Sequence, residues 1–546
     1  MPVLEVTVKH SGKSYPISLD TDAPPASFKS AIRDATGVPA DRMKVMIKGG
    51  VLKDDTDWKK VAPKAGQQFL VIGTASELPK PPEKPVVFLE DMGDAELADS
   101  LAMPVGLVNL GNTCYMNATV QALRSVPELK DSLKSFTGSG SDPTSALTVA
   151  MRDLYDSMGK TAEPVTPLLF LQILRQNVPQ FNERRQGQWA QQDADECWTS
   201  IVNSLRTLPG VDNGEGSSSQ ALSRKPFVEQ FLMGEITTEL KCDEAPDEPP
   251  TVSTEKISQI PCNISVTTNF MHSGIQESLD QKITKHSPSL NREAVYTSHS
   301  RISRLPNNLT VHMVRFHWRR DINKKAKIMR KVKFPFEFDA LDLCTPELKQ
   351  KLQPANTKLK DIARDRRDRQ RVRKRAKKAR AEQDRVVAEG SAQMMSDIIA
   401  PAIRESMESG SASRSIQITQ NEVDETLARL RDIRAGELED ETIIRERERK
   451  EIDALLDKDL LQDTGSSLTG LYDLCAVVTH KGASADSGHY IGYVKKDAFH
   501  PEDAEVGGDD EWYKFDDQRV SLVSQDKIAA LDGGGEDSIA YILLYR

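Results

Sequence analysis

Cysteine is sparse in this chain and never closely paired. Six residues, at positions 114, 197, 242, 262, 344 and 475 of 546, include no two at Cys-x-x-Cys spacing. That distribution gives neither a disulfide framework nor a four-thiolate metal site, and it fits free thiols in a reducing setting, the cytoplasm and nucleus. No apolar run approaches the ~20 residues of a membrane span, and the N-terminus alternates like a strand instead of opening a signal peptide. Excess positive charge is missing too. The formal net charge of −9 argues against a general nucleic-acid binder. Hydrophobic residues make up only 38% while charged ones reach 28%, so folded domains must share the chain with polar segments.

The first 73 residues carry a complete small-domain pattern. Residues 3–9 and 14–19 alternate on either side of Ser11-Gly12, which predicts a hairpin. After Pro24-Pro25, Phe28, Ile32 and Ala35 recur at helical spacing up to Gly37. Strand-like runs follow at 44–48 and 69–72. This order predicts a β-grasp. On the last strand, period-2 alternation puts Phe69 and Val71 on one face and Leu70 and Ile72 on the other. Leu70 and Ile72, with Met46 on a neighbouring strand, are candidates for an exposed apolar patch of the kind that takes a partner.

Residues 76–103 read as a linker, stiffened by Pro79, Pro81, Pro82 and Pro85 and acidic over 90–99. Everything downstream is organised around residues 106–118, Gly-Leu-Val-Asn-Leu-Gly-Asn-Thr-Cys-Tyr-Met-Asn-Ala. A glycine-punctuated turn runs into a helix there, with Asn112 or Thr113 as N-cap and one buried face through Met116, Val120 and Leu123. Cys114 falls in the first turn, where unpaired N–H groups and the positive dipole end stabilise an anion. Asn109 lies close enough to aim an amide N–H at the same place. A nucleophile beside an amide donor suits acyl transfer.

These residues resemble the cysteine box of the ubiquitin-specific proteases, papain-like deubiquitinases. Residues 1–75, chiefly 44–54, resemble a ubiquitin-like domain, and they end Ile72-Gly73-Thr74-Ala75 instead of in the Gly-Gly of a conjugable modifier. Residues 191–198, Gln-Gln-Asp-Ala-Asp-Glu-Cys-Trp, open another helix with Asp193 and Glu196 as a capping box. They resemble the family's glutamine-aspartate box, which implies that Gln192 supports the cleft for the ubiquitin tail.

Nine histidines leave the base open on spacing alone, with His489 and His480 the two candidates flanking one glycine-containing loop. Residues 487–493, Ser-Gly-His-Tyr-Ile-Gly-Tyr, resemble the family's histidine box and select His489. Residues 512–517, Trp-Tyr-Lys-Phe-Asp-Asp, resemble the motif that orients it, giving Asp516 as the acid and Asp517 as the alternative. The resemblance thus implies a Cys114–His489–Asp516 triad with Asn109 at the oxyanion.

Many family members fix a β-rich fingers region with zinc through two Cys-x-x-Cys pairs. Here Cys242 and Cys262 alone stand at those places, so no metal and no cofactor is expected. Residues 355–463 are charged, with 12 Lys/Arg against 4 Asp/Glu between 364 and 385. They read as a solvated helical insertion or a basic contact surface for an acidic partner. No aromatics are interleaved to stack bases.

The expectation is an α+β chain: a ubiquitin-like domain (1–75), a linker (76–103), and a papain-like catalytic domain of thumb, palm and fingers (104–546). The implied activity is cysteine-dependent hydrolysis at the C-terminal glycine of ubiquitin, with the proteasome regulatory particle and ubiquitin conjugates as partners and neither nucleic acid nor membrane. The alternatives are a non-catalytic proteasome-binding regulator and a protease for another ubiquitin-like modifier.

Overall fold

The computed structural model describes residues 3–47, 50–73, 103–138, 142–211, 225–319, 324–394, 441–482, 487–500, 510–534 and 538–546. The expected linker and the middle of the expected insertion lie outside them. So do residues 320–323 and 483–486. The chain divides into two compact units, Met1–Asp91 and Met92–Arg546.

In the first unit, β1 (Leu4–His10) and β2 (Lys13–Leu19) form an antiparallel hairpin. α1 (Pro25–Thr36) starts with proline in its first turn and ends at Gly37. β3 (Lys44–Ile47), β4 (Gly50–Val51) and β5 (Gln68–Ile72) complete a five-stranded sheet in the order β2-β1-β5-β3-β4, with β1 and β5 parallel. That order is the β-grasp. Alternation decides its faces: Val6, Val8, Val45, Phe69 and Val71 turn inward onto Phe28 and Ile32. Phe28 is edge-on to both Phe69 and Trp58, with centroids 5.4 and 5.8 Å away. Full burial of such side chains stabilises the unit by ~1.5–3 kcal/mol each.

The second unit stacks helices against an eight-stranded sheet. α2 (Cys114–Leu123) is its central rod. One buried face was expected, but every residue of α2 is buried. A helix enclosed on all sides must satisfy its polar side chains internally. Accordingly, Asn117 donates to Asp517, Thr119 to the Tyr115 carbonyl and Gln121 to the Val105 carbonyl.

Around α2 pack α3 (Pro127–Ser135), α4 (Pro143–Met158), α5 (Leu168–Asn177) and α6 (Ala194–Ser204). β6 (Gly234–Cys242), β7 (Thr251–Ile257), β9 (Asp280–Ser287) and β10 (Arg292–Arg304) form a separate four-stranded sheet in the order β9-β10-β6-β7. Between β7 and β9 the chain contributes β8 (Ile260–Asn263) to the large sheet instead. Cys242 and Cys262 sit in different apolar clusters, the first with Tyr296 and the second with Met271 and Ile275.

The large sheet continues through β11 (Leu309–Val314). A small hairpin, β12 (Phe316–Arg319) with β13 (Lys324–Lys327), follows it in the chain. After β14 (Glu337–Asp339) comes α7 (Pro346–Met394), whose first turns are packed. Leu352, Ala355 and Asn356 are fully buried there and Ile362 nearly so, so the start of the expected insertion belongs to the core. Farther along, Arg366 and Arg369 both donate to buried Glu448 on α8 (Glu441–Asp453), tying the two helices together. The sheet is completed by β15 (Leu471–Lys481), β16 (His489–Lys495), β17 (Glu511–Asp516), β18 (Arg519–Ser524) and β19 (Ile539–Tyr545), in the order β8-β11-β19-β15-β16-β17-β18, with β14 as the eighth strand paired to β15. β16 lies directly on α2. A Cβ at Gly492 would come 3.2 Å from the Ala118 carbonyl oxygen, so glycine permits that approach. Strand and helix termini thereby meet at Cys114. No helix among the described residues is long and apolar enough to cross a membrane.

Candidate active site

The loop before α2 is held as a template for Cys114. Leu107 N–H donates to the Asp517 carbonyl and Val108 N–H to the Val165 carbonyl. Gly111 and Asn112 both take positive φ, 94° and 54°, which reverses the chain into the helix. Thr113 occupies the cap position without capping the helix through its side chain. Its hydroxyl accepts from Leu110 N–H and donates to Asn109 Oδ1, which also accepts from the N–H groups of Gly111 and Thr113. Asn112, the other cap candidate, donates its amide to the Trp189 carbonyl instead.

Cys114 is 2% exposed and opens the first turn. Its sulfur accepts from Gln191 Nε2 at 3.2 Å and from Tyr490 N–H at 3.4 Å. His489 begins β16, and its Nε2 lies 2.7 Å from Asp516 Oδ1. The ring's other nitrogen, Nδ1, is the one left for Cys114. Hydrogen bonding to Cys114 raises the imidazole from its ordinary 6.5 to about 9, against the opposing effect of burial and with support from Asp516. Burial works against the Asp516 carboxylate, but hydrogen bonds from His489 and from Lys514 Nζ, 3.0 Å away, hold it below its usual range. The result is a line of thiol, imidazole and carboxylate, with a cation behind the last.

Asp517 is placed differently. The chain turns at it with φ of 52°, and its two oxygens accept from Asn109 Nδ2 and Asn117 Nδ2, both at 2.8 Å. It braces the loop before Cys114, while Asp516 alone of the pair bonds His489. His489, Asp516 and Asp517 bring one nitrogen and two oxygens within 4.8 Å of one another, the one metal-type grouping among the described residues. Two of those atoms already bond to each other.

His480 is fully buried and takes Lys327 Nζ on Nδ1 at 2.9 Å. Burial, then the charge of Lys327, push it down to about 3, so it stays neutral. Asn109 reaches the site with one amide hydrogen committed to Asp517. Gln192 is buried and its Nε2 has no protein partner, whereas its neighbour Gln191 touches the sulfur. Sequence reading passed over Gln191. The signal was available, because alternation just before a helix sends adjacent side chains opposite ways. Asp193 caps α6 by accepting from Asp195 N–H, the second helical position, where the expected capping box would use the third, Glu196. Glu196 accepts from Gln180 Nε2.

On the first unit, Met46 stands directly opposite Leu70, and Lys44 opposite Ile72. Met46, Leu70 and Ile72 are 37%, 52% and 54% exposed. Val51, opposite Met46 and also exposed, extends the patch beyond the residues expected.

Comparison with known proteins finds relatives along both units. A family model described as Ubiquitin carboxyl-terminal hydrolase matches residues 105–545, and one described as Ubiquitin family matches residues 6–71. The chain is 38% identical over 547 residues to Ubiquitin carboxyl-terminal hydrolase 6 of Schizosaccharomyces pombe, covering 100% of this chain and 99% of that protein. It is 36% identical over 552 residues to Ubiquitin carboxyl-terminal hydrolase 7 of Arabidopsis thaliana, covering 100% and 99%. Against Ubiquitin carboxyl-terminal hydrolase 14 of Caenorhabditis elegans it is 28% identical over 556 residues, covering 100% and 93%. Among solved structures, one titled as the SAGA Ubp8/Sgf11/Sus1/Sgf73 DUB module bound to ubiquitin aldehyde is 15% identical, with a TM-score of 0.44, over 81% of this chain and 69% of that one.

Proposed function

The chain belongs to the ubiquitin carboxyl-terminal hydrolase family, and from that premise we propose that Cys114, His489 and Asp516 hydrolyse the bond at the C-terminal glycine of ubiquitin in conjugates presented at the proteasome. The observation that carries the assignment is the contact line from Cys114 through His489 to Asp516, set at the start of a buried helix.

In this mechanism His489 Nδ1 holds the thiol proton, and the Cys114 sulfur adds to the glycine carbonyl. The oxyanion is met by the Cys114 N–H, an orphan donor of the first helical turn, and by the remaining amide hydrogen of Asn109. Gln191 Nε2 is a further donor at the same place. The imidazolium protonates the departing lysine ε-amine, leaving a thioester on Cys114. Water then gives its proton to His489 and attacks the thioester, which restores the thiol and frees ubiquitin. Asp516 keeps Nε2 protonated and Nδ1 facing sulfur throughout. Gln192, buried beside Gln191, supports the cleft for the ubiquitin tail.

The exposed patch of Met46, Leu70 and Ile72, with Val51, is the docking surface for the proteasome regulatory particle in this reading. Its support is the ubiquitin-type unit and the resemblance to family members that carry one. Free thiols and a proteasome partner support a cytoplasmic and nuclear setting in this reading. Turnover of a fluorogenic ubiquitin amide, alongside the same amide of other ubiquitin-like modifiers, tests the assignment. Turnover of ubiquitin alone supports it, and preference for another modifier or no turnover overturns it.

A further inference from the structure

Lys327 occupies a position that the mechanism above does not use. It is the last residue of β13 and pairs with Phe316 across the β12–β13 hairpin. Its ammonium group is half-buried and donates to His480 Nδ1 at 2.9 Å, the His480 carbonyl at 2.8 Å and the Gly482 carbonyl at 3.0 Å. An ammonium has three N–H bonds, and all three are used. None of the acceptors is charged. Burial therefore lowers Lys327 to about 8, and a protonated lysine kept in such a place needs every one of those bonds.

The acceptors lie at the end of the β15–β16 hairpin that supplies the base. In register, His480 faces Tyr490 and Lys481 faces His489. The His480 ring lies edge-on to Tyr490, centroids 4.7 Å apart, and to Phe316, 5.3 Å apart. Tyr490 in turn donates its N–H to Cys114 sulfur. Gly482 and Gly488, which flank the loop, both take positive φ and bring no side chain that could anchor it. Lys327 supplies the anchor.

We propose that Lys327 is a positioning residue: it fixes the hairpin end carrying His489 and the Tyr490 N–H in register with Cys114, acting through His480 and Gly482. The proposal rests on the assignment of Cys114 and His489 as nucleophile and base. Misplacing reacting groups by about 1 Å can cost ~100-fold, which sets the scale of the expected loss.

Lys327→Met keeps bulk and removes the donors. In the full chain it should lower kcat for a ubiquitin amide by ~10- to 100-fold with KM nearly unchanged. It should also shift the pH dependence of Cys114 alkylation by iodoacetamide, which reports the sulfur–imidazole contact directly. His480→Phe keeps the ring against Tyr490 but deletes one acceptor. It should reproduce part of the loss, and the double variant should be no worse than Lys327→Met alone. If Lys327→Met does not fold, the His480→Phe result decides. Wild-type kcat and an unmoved alkylation profile in a folded Lys327→Met, a change in KM alone, or losses that add in the double variant would overturn the proposal. Labelling by a ubiquitin C-terminal electrophile separates the two readings. Label on a cysteine other than Cys114 defeats the catalytic assignment, whereas equal labelling rates at Cys114 in wild type and Lys327→Met defeat only the positioning role.

Discussion

Replacing Asp516 with Asn removes one negative charge while leaving an oxygen for His489 Nε2–H. The structure sets the size of the effect. The bond is 2.7 Å long, but the two side chains are 34% and 35% exposed, so water screens part of it. A hydrogen bond between charged groups contributes ~1.5–3 kcal/mol. Taking the lower end for solvent screening, the imidazolium loses ~1.5 kcal/mol, about a tenfold drop in its proton affinity. The sign is fixed by the raised His489. Its charged form persists up to about pH 9 and is lost above that, so turnover of a ubiquitin amide should fall on the alkaline side. Asp516→Asn should move that alkaline limb toward neutrality and lower kcat at pH 7.5 by ~10- to 100-fold. Asp517→Asn, whose partners are the amides of Asn109 and Asn117, should move the limb less. Full pH–rate profiles of the three proteins decide the matter. A larger shift for Asp517→Asn, with the Asp516→Asn limb unmoved, would refute the assignment of the acid.

Four further outcomes are expected. At Gly488, with φ of 128°, an added Cβ would lie 2.2 Å from the Lys481 carbonyl oxygen and 2.7 Å from His480 Nε2. Backbone strain there alone costs ~1–3 kcal/mol. Gly488→Ala should thus cut kcat at least 100-fold and lower the melting temperature, and a folded variant of normal activity would contradict this. In the first unit, Leu70→Glu should weaken co-sedimentation with proteasomes ~10-fold or more, since burial of such a side chain contributes ~1.5–3 kcal/mol. Removal of residues 1–75 should abolish co-sedimentation yet leave basal hydrolysis nearly unchanged, and lost hydrolysis with retained docking would reverse the reading. Finally, hydrolysis should rise strongly on docking to proteasomes stripped of other deubiquitinases. Equal rates for free and docked enzyme at saturating proteasome would count against it.

Periodicity made the first unit legible, because a half-buried sheet writes its faces into alternate residues. Phe69 and Val71 are buried while Leu70 and Ile72 are exposed. Val51 escaped notice because a two-residue strand shows no alternation. In the second unit the central helix misled in one respect. Pattern reading expects polar residues to face water, yet Asn117, Thr119 and Gln121 are buried and donate to Asp517, to the Tyr115 carbonyl one turn back and to the Val105 carbonyl. Cys114 could be picked out from local chemistry joined to the motif. His489 and Asp516 needed the motifs, since 375 or more residues separate them from the cysteine and spacing carries no such information. Gln191 against Gln192 is a question of side-chain direction, which the motif alone does not answer. The Lys327 contact joins residues 153 apart in sequence, on two hairpins, and became visible only with coordinates.

The most direct test of the catalytic assignment is covalent. The full-length protein is incubated with ubiquitin carrying a C-terminal electrophile, and the adduct is read by intact mass and peptide mapping. One ubiquitin per chain is expected, attached at Cys114, lost in Cys114→Ala and strongly slowed in His489→Ala. Attachment at Cys197 or Cys475, or undiminished hydrolysis by Cys114→Ala, would contradict it.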